Sequence, residues 1–126
     1  MKALNIIETA YRATLEEQDD PVVWITHAMK GAGADLSVLL RGNAVNCAVA
    51  AQSVPPLAFG ARQQKHAPHL AEDIGGLIGK GVDVYIVEED LAVRGLEDGQ
   101  LVRGLKSIPR DEIASLLDSY DQVWHW

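Results

Sequence analysis

The sequence predicts an α/β fold, a three-layer sandwich in which helices cover both faces of a mostly parallel sheet of about four to five strands. Short apolar segments of strand length alternate along the chain with segments whose apolar residues recur at helical spacing. The chain has 126 residues, of which 48% are hydrophobic. This is enough for one domain with its own core, and we expect a single domain over residues 1–126.

The first half of the chain predicts two strands joined by a helix. Residues 3–7 form an apolar run that predicts a first strand, and a polar loop follows. Asp20 can accept amide hydrogens at a helix start and Pro21 suits the first helical position, so a helix is predicted over 21–32. The nearly continuous apolar run over 35–41 is typical of a strand covered on both faces.

The segment after the second strand contains Cys47, the one cysteine of the chain. Asn43 is a good N-cap residue, and the small residues after it predict a helix over 44–51. Pro55 and Pro56 cannot continue that helix. Residues 53–67 are therefore predicted to form a long loop, which in a small domain is often functional.

The second half of the chain predicts further alternation. A helix is expected to begin at Pro68 and to end near Lys80 and Gly81, followed by a strand over 82–87 and a short helix over 89–94. Pro109 begins a last helix, and residues 123–126 form a last strand. Ligands of such sheets lie at the carboxyl ends of the strands, where the predicted loops start at Glu8, Gly42 and Glu88.

Charge and composition limit the classes of partner. Eleven basic residues against eighteen acidic ones give a net charge of −7, and the basic residues are scattered. Such a surface repels phosphate backbones, so neither nucleic acid nor an anionic membrane is expected as a partner. No apolar stretch reaches the length that spans a bilayer, and no signal peptide is recognised, so we expect a cytoplasmic protein.

Cys47 is the candidate for chemistry. A position near a helix start would favour its thiolate, which is the reactive form of cysteine. The alternative is that Cys47 is a small buried hydrophobic residue. A single cysteine makes no disulfide within its own chain, so redox chemistry would need a partner.

Other motifs give weaker indications. His66 and His69, with Glu72 and Asp73 behind them, have the residue types of a metal site, but Pro68 interrupts any shared helical face, and no metal site is predicted. No glycine-rich phosphate loop occurs, so nucleotide binding has no support.

The order and spacing of three short motifs resemble the DsrE/DsrF family of sulfur-metabolism proteins. They lie in residues 41–48, in 84–87 with 94–96, and in 121–124. The resemblance implies a three-layer α/β fold, homo- or hetero-oligomers such as trimers or hexamers, and relay of persulfide sulfur. In the sulfur-carrying DsrE and TusD branch, the active cysteine follows the third strand, and Val87 occupies that position here. Cys47 matches a second cysteine position of DsrE-like proteins, after strand two.

Two hypotheses of function follow. In the first, Cys47 carries persulfide sulfur between a donor and an acceptor protein without a metal or organic cofactor, while Asn43, Gln52 and Arg12 provide polar contacts to the sulfur anion. In the second, the protein is a non-catalytic oligomeric binding module, Cys47 is packing, and the sheet edge holds a small ligand or a partner chain. Exposed apolar residues, among them Trp124, Trp126 and residues 54–59, are expected to form the oligomer contacts.

Overall fold

A five-stranded parallel sheet forms the centre of the computed structural model, which describes residues 1–10 and 20–126. The strands of the chain are β1 (Lys2–Ile7), β2 (Asp35–Leu40), β3 (Ala58–Phe59), β4 (Arg62–Gln63), β5 (Val84–Val87), β6 (Lys106–Ile108) and β7 (Gln122–His125). The sheet has the order β6-β5-β2-β1-β7, and every neighbouring pair is parallel. The predicted α/β class and parallel sheet are confirmed.

Helices and tighter helical segments surround this sheet. Over residues 1–10 and 20–126, the α-helices are α1 (Pro21–Gly31), α2 (Leu70–Gly79), α3 (Glu88–Val93) and α4 (Ile113–Asp118). In the same ranges, three 3-10 segments span Gly42–Ala48, Asp98–Gln100 and Arg110–Glu112. In the described ranges, no helix is both long and apolar enough to cross a bilayer.

The two faces of the sheet bury different cores. One face packs on α1, α2 and the Gly42–Ala48 segment, and it contains the larger apolar cluster, with Val38 and Ile86 at its centre. The opposite face packs a smaller cluster, which includes Leu39, under α4. The alternation of β2 side chains between these clusters is what a strand covered on both faces requires.

The start of α1 is formed as the sequence predicts. Asp20 accepts hydrogen bonds at Oδ1 from the backbone nitrogens of Val22 (2.9 Å) and Val23 (3.2 Å). The helix is fixed to the sheet by a buried polar contact, because Asn5 Nδ2 of β1 donates to Thr26 Oγ1 of α1 at 2.9 Å. The cap fixes the residue at which α1 begins, and the Asn5–Thr26 contact fixes the helix against β1.

The predicted α-helix over 44–51 is wrong. The chain forms the 3-10 segment Gly42–Ala48 instead, and Arg41, not Asn43, is its N-cap residue. Contacts at both ends explain the difference: Ala44 N donates to Glu8 O at 3.2 Å, and Val49 forms an antiparallel bridge to Leu101. These tertiary contacts fix both ends of the segment, and they override the local preference for an α-helix.

Two short elements were absent from the prediction. The predicted loop over 53–67 contains the antiparallel hairpin of β3 and β4. Strand β6 lies at one edge of the sheet and pairs with β5 through Lys106, Ser107 and Ile108. Its three residues include one buried apolar side chain, Ile108, which is too little for an apolar pattern to reveal.

Candidate functional site

A cleft of about 470 Å³ lies at the carboxyl ends of four neighbouring strands. Its lining comes from the ends of β1, β2, β5 and β6, and consists of Glu8, Arg41, Gly42, Asn43, Asp90, Arg94, Arg110 and Ile113. Because parallel strands bring their following loops to one edge, residues far apart in sequence meet here. The volume is within the range of small-molecule sites, about 300–1,000 Å³. We call this site the arginine cleft.

Asp90 of α3 is the central acceptor of the arginine cleft. Its Oδ2 accepts a 2.7 Å hydrogen bond from Gly42 N, and its Oδ1 accepts a 2.8 Å bond from Arg110 Nη2. The side chain is only 15% exposed, whereas that of Arg110 is 58% exposed. Gly42 has a φ of +56°, a left-handed conformation that glycine adopts without strain. Asp90 therefore joins the segments that follow β2 and β6.

Arg94 is held by two uncharged acceptors. Its Nη1 donates to the backbone oxygen of Asp90 at 3.0 Å, and its Nη2 donates to Asn43 Oδ1 at 2.6 Å. Within residues 1–10 and 20–126, no carboxylate forms an ion pair with this guanidinium. The side chain is half-buried, so its charge is fixed in direction while its remaining N–H groups are available to a ligand.

Glu8 forms the opposite wall of the cleft. Its Oε1 lies 2.7 Å from Arg41 Nε, and its Oε2 lies 3.1 Å from His125 Nε2 on the neighbouring strand β7. Both Glu8 and Arg41 side chains are 39% exposed, so this pair faces water and contributes little to stability, about 0–1 kcal/mol. Its effect is to occupy both carboxylate oxygens of Glu8.

The arginine cleft differs in charge from the rest of the protein. Among the described residues, three guanidinium groups and two carboxylates line it, a net charge of +1, on a chain of net charge −7. Each carboxylate oxygen of Glu8 and Asp90 already has a donor partner within the protein, and Asn43 Oδ1 accepts a hydrogen bond from Arg94. The capacity that remains is mostly that of N–H donors, which suits a ligand rich in acceptor oxygens.

Cys47 lies outside the lining of this cleft. Its side chain is 1% exposed and belongs to the larger apolar cluster. Because residues 42–48 form a 3-10 segment, the predicted effect of an α-helix N-terminus on its thiol has no structural basis here. Val87, at the family's usual cysteine position, is fully buried as well.

The three predicted binding residues do not lie together in the cleft. Asn43 lines the cleft and positions Arg94. Gln52 is directed elsewhere, because its Nε2 contacts the backbone oxygens of Cys47 at 3.0 Å and Val49 at 2.9 Å. Gln52 thereby secures the end of the 3-10 segment. Arg12 lies outside the described residues.

Sequence reasoning missed most of the charged residues of the cleft. The predicted loop starts at Glu8 and Gly42 indicate the correct edge, but no sequence pattern singles out Asp90 or His125. Arg94 was noted only as part of a motif. Arg110 follows β6, the strand that the sequence did not reveal, so no signal connected it to this edge.

The pKa of one tyrosine, Tyr85, is raised, and this residue does not line the cleft. Burial, together with the neighbouring Tyr120 phenol and the charge of Asp83, raises the pKa of Tyr85 to about 12. Tyr85 lies on the opposite face of the sheet, in the cluster under α4. In the described part of the chain, no three His, Cys, Asp or Glu side chains are grouped to hold a metal ion.

The fold and the cleft define an α/β protein with an arginine-lined site at the sheet edge. Similar structures include the ychN protein from E. coli, with a TM-score of 0.76 and 18% identity over 99% of this chain and 98% of that one. MTH1491 from Methanobacterium thermoautotrophicum, a protein of unknown function, has a TM-score of 0.66 and 9% identity over 98% and 97% of the two chains.

These comparisons extend to the fold. The shared architecture is the DsrE/DsrF-like fold, which the sequence resemblance implied. No family model matches the chain, and no curated protein matches it. At 18% and 9% identity, the likeness to solved structures establishes the fold and no activity.

Proposed function

We propose that the protein is a binding module for a small anionic molecule, which it holds in the arginine cleft. The observation that carries this proposal is Arg94, a half-buried guanidinium fixed by two neutral acceptors. Burying a charge without an opposite charge is unfavourable unless another group compensates it. An anion bound beside Arg94 would supply that compensation, and its oxygens would accept from the N–H donors of the cleft.

The function of a binding module needs no reacting group. Arg110 can approach a ligand from the exposed rim, because only one of its donors is held by Asp90 Oδ1 at 2.8 Å. Asn43 Nδ2 adds further donors, since its Oδ1 already accepts from Arg94. Guanidinium groups form paired bonds with carboxylate and phosphate oxygens, so the cleft can orient an anion as well as attract it.

The test is titration of the folded protein with acetate, isovalerate, succinate and inorganic phosphate, followed by NMR shifts of the backbone amides. Binding is expected to shift the backbone amide signals of Gly42 and Asn43. In Arg94→Gln the affinity is expected to fall at least about tenfold, because a hydrogen bond to a charged group contributes about 1.5–3 kcal/mol. Arg103→Gln removes an exposed arginine outside the arginine cleft and is the matched control.

Two results would reject the anion-binding function. One is the absence of binding by every anion. The other is equal binding to Arg94→Gln and to the unmodified protein. Thermal unfolding of each variant shows that it is folded before affinities are compared, and Arg110→Gln provides a second, more exposed arginine variant.

A sulfur relay is the second candidate. It is supported by the DsrE/DsrF-like fold and by the position of Cys47, five residues along the chain from Gly42, which lines the cleft. In this function the Cys47 thiolate attacks the outer sulfur of a donor persulfide. The sulfur–sulfur bond of the donor breaks, the donor thiolate leaves, and Cys47 holds a persulfide that an acceptor thiol on another protein removes.

The relay requires local opening, because the Cys47 side chain is 1% exposed. Incubation with a persulfide donor followed by intact mass measurement tests it, with Cys47→Ser as the control. An adduct of one sulfur on the unmodified protein alone would support the relay, and no adduct, or an equal one on Cys47→Ser, would reject it. An alkylation midpoint well below roughly pH 8.5 would agree with a relay thiol.

We further propose that the module is a homo-oligomer, a trimer or hexamer, in the cytoplasm. Large apolar side chains are exposed on α1, on the β3–β4 hairpin and at the end of the chain: Trp24 is 58% exposed, Phe59 73% and Trp126 49%. Surfaces of this kind commonly form contacts between chains. Light scattering at micromolar concentration should give a mass above that of one chain, and a monomer would contradict the proposal.

A further inference from the structure

The ligand class can be narrowed by the groups that the arginine cleft leaves unsatisfied. We infer that the cleft selects a small organic monocarboxylate that carries an apolar group, in preference to an inorganic anion or a dianion. This inference rests on the proposed anion-binding function and makes it more specific. Three features of the cleft carry it: its charge, the shape of its donors, and one apolar side chain.

The charge of the cleft favours a single negative charge on the ligand. Its lining, as far as the structure describes the chain, has a net charge of +1, so a monoanion neutralises it. A second negative charge would approach Asp90, and also Glu89, whose Oε2 accepts from Arg110 N at 2.8 Å and therefore lies at the rim. Like charges at such short range are unfavourable, which counts against a phosphate or a dicarboxylate.

The donors of the cleft suit a carboxylate. A guanidinium presents parallel N–H bonds that match the two oxygens of a carboxylate, and they match two oxygens of a phosphate as well, so it is the charge of the cleft that counts against phosphate. Arg94 is fixed in orientation by its bonds to Asp90 O and Asn43 Oδ1, so its remaining N–H groups are held before a ligand arrives. A fixed fork binds a carboxylate with less loss of side-chain entropy than a mobile lysine would.

The apolar feature is Ile113, the first residue of α4. Of the described lining residues it is the one with a large apolar side chain, and it is partly exposed. Gly42, also in the lining, has no side chain to fill the space. A volume of about 470 Å³ is typical of sites for whole small molecules and exceeds what a bare ion requires. An apolar group beside the carboxylate could lie against Ile113.

The same titrations decide the ligand class by the order of affinities. Isovalerate is expected to bind about tenfold more tightly than acetate, since burial of two or three methyl-sized groups contributes about 0.8 kcal/mol each at most. It is also expected to bind more tightly than succinate or inorganic phosphate. Isovaleramide, which has the same shape without the charge, is expected to show no binding at concentrations where isovalerate saturates the cleft.

Two variants separate the contributions. Ile113→Ala should remove most of the difference between isovalerate and acetate, whereas Arg94→Gln should weaken both. If succinate or phosphate binds through Arg94 as tightly as isovalerate, the monocarboxylate inference is overturned while the anion-binding function stands. If isovalerate keeps its advantage in Ile113→Ala, the apolar contact is overturned. If no anion binds, both the function and this inference fail.

Discussion

The two ends of the segment Gly42–Ala48 lie in opposite environments. Its first residues, Gly42 and Asn43, line a cleft with three arginines, whereas Cys47 and Ala48 are 1% and 0% exposed within the larger apolar cluster. Only a few residues separate the polar arginine cleft from a packed thiol. A residue can therefore follow a strand within a few positions and still point away from the cleft at the end of that strand.

The physical difference between the two ends is the direction of the backbone. Gly42 N is held by Asp90 at 2.7 Å, which keeps the start of the segment at the cleft. The end of the segment turns inward and joins the chain near Leu101, where Val102 N donates to Ala48 O at 2.9 Å. Polar chemistry therefore concentrates at the start, and Cys47 is enclosed at the end.

The largest expected effect is on the rate of Cys47 alkylation. It tests whether the end of the Gly42–Ala48 segment is enclosed while its start is open to the cleft. If Cys47 is enclosed, its alkylation by iodoacetamide in the folded protein should be slower than that of glutathione by about a hundredfold or more, because reaction requires a local opening. Alkylation in denaturant provides the reference for the same chain. A rate in native buffer close to that of glutathione would show an accessible thiol, and the two ends would no longer differ.

The second effect tests the polar end. Asp90→Ala should lower the free energy of unfolding by about 2–3 kcal/mol, because Gly42 N loses its partner inside the fold and Arg110 loses its ion pair. Chemical denaturation measures this change. Asp35→Ala, at an exposed position at the start of β2, is the matched control and should change stability by less than about 0.5 kcal/mol. Equal effects of the two substitutions would contradict the role of Asp90.

The sequence anticipated the fold better than the site, for a physical reason. Apolar runs such as residues 35–41 and caps such as Asp20 are local signals, so the central strands and α1 follow from them. The 3-10 form of Gly42–Ala48 depends on contacts to Glu8 and Leu101, which are distant in sequence. Local propensity has no access to such contacts.

The residues of the cleft were harder to predict for the same reason. Arg94 and Arg110 reach the cleft only because β5 and β6 are neighbours in the sheet. Strand β6 has one buried apolar residue, Ile108, and so it leaves almost no pattern. Asn43 is predicted as a site residue because it is placed as the helix N-cap, with a polar side chain beside Cys47. The error at Cys47 came from extending that same inference past the point where the chain turns inward.

A third, smaller effect should appear at Gln52. Gln52→Ala removes the side chain that contacts the backbone oxygens of Cys47 and Val49, and it should lower the free energy of unfolding by about 1 kcal/mol. Alkylation of Cys47 should become several times faster, since the end of the segment opens more readily. Anion affinity should stay unchanged. Gln63→Ala, at an exposed position in β4, is the control, and an equal rate in both variants would contradict this role.

The smallest effect on stability is expected at Asn43. This substitution tests whether the start of the Gly42–Ala48 segment affects anion affinity without affecting the buried end. Asn43 is exposed, so Asn43→Ala should change the free energy of unfolding by less than about 0.5 kcal/mol. Anion affinity should nevertheless fall a few-fold, because Arg94 loses the 2.6 Å bond that orients its Nη2.

Asn46 is the matched position for this substitution, because it lies in the same segment but outside the lining of the cleft. Asn46→Ala should leave affinity unchanged, although it removes the 3.0 Å bond from Asn46 Nδ2 to Asn43 O. Neither variant should alter Cys47 alkylation as Gln52→Ala does. If Asn43→Ala sped up alkylation and left anion affinity intact, the segment would act as one unit, and its polar and apolar ends would not be separable.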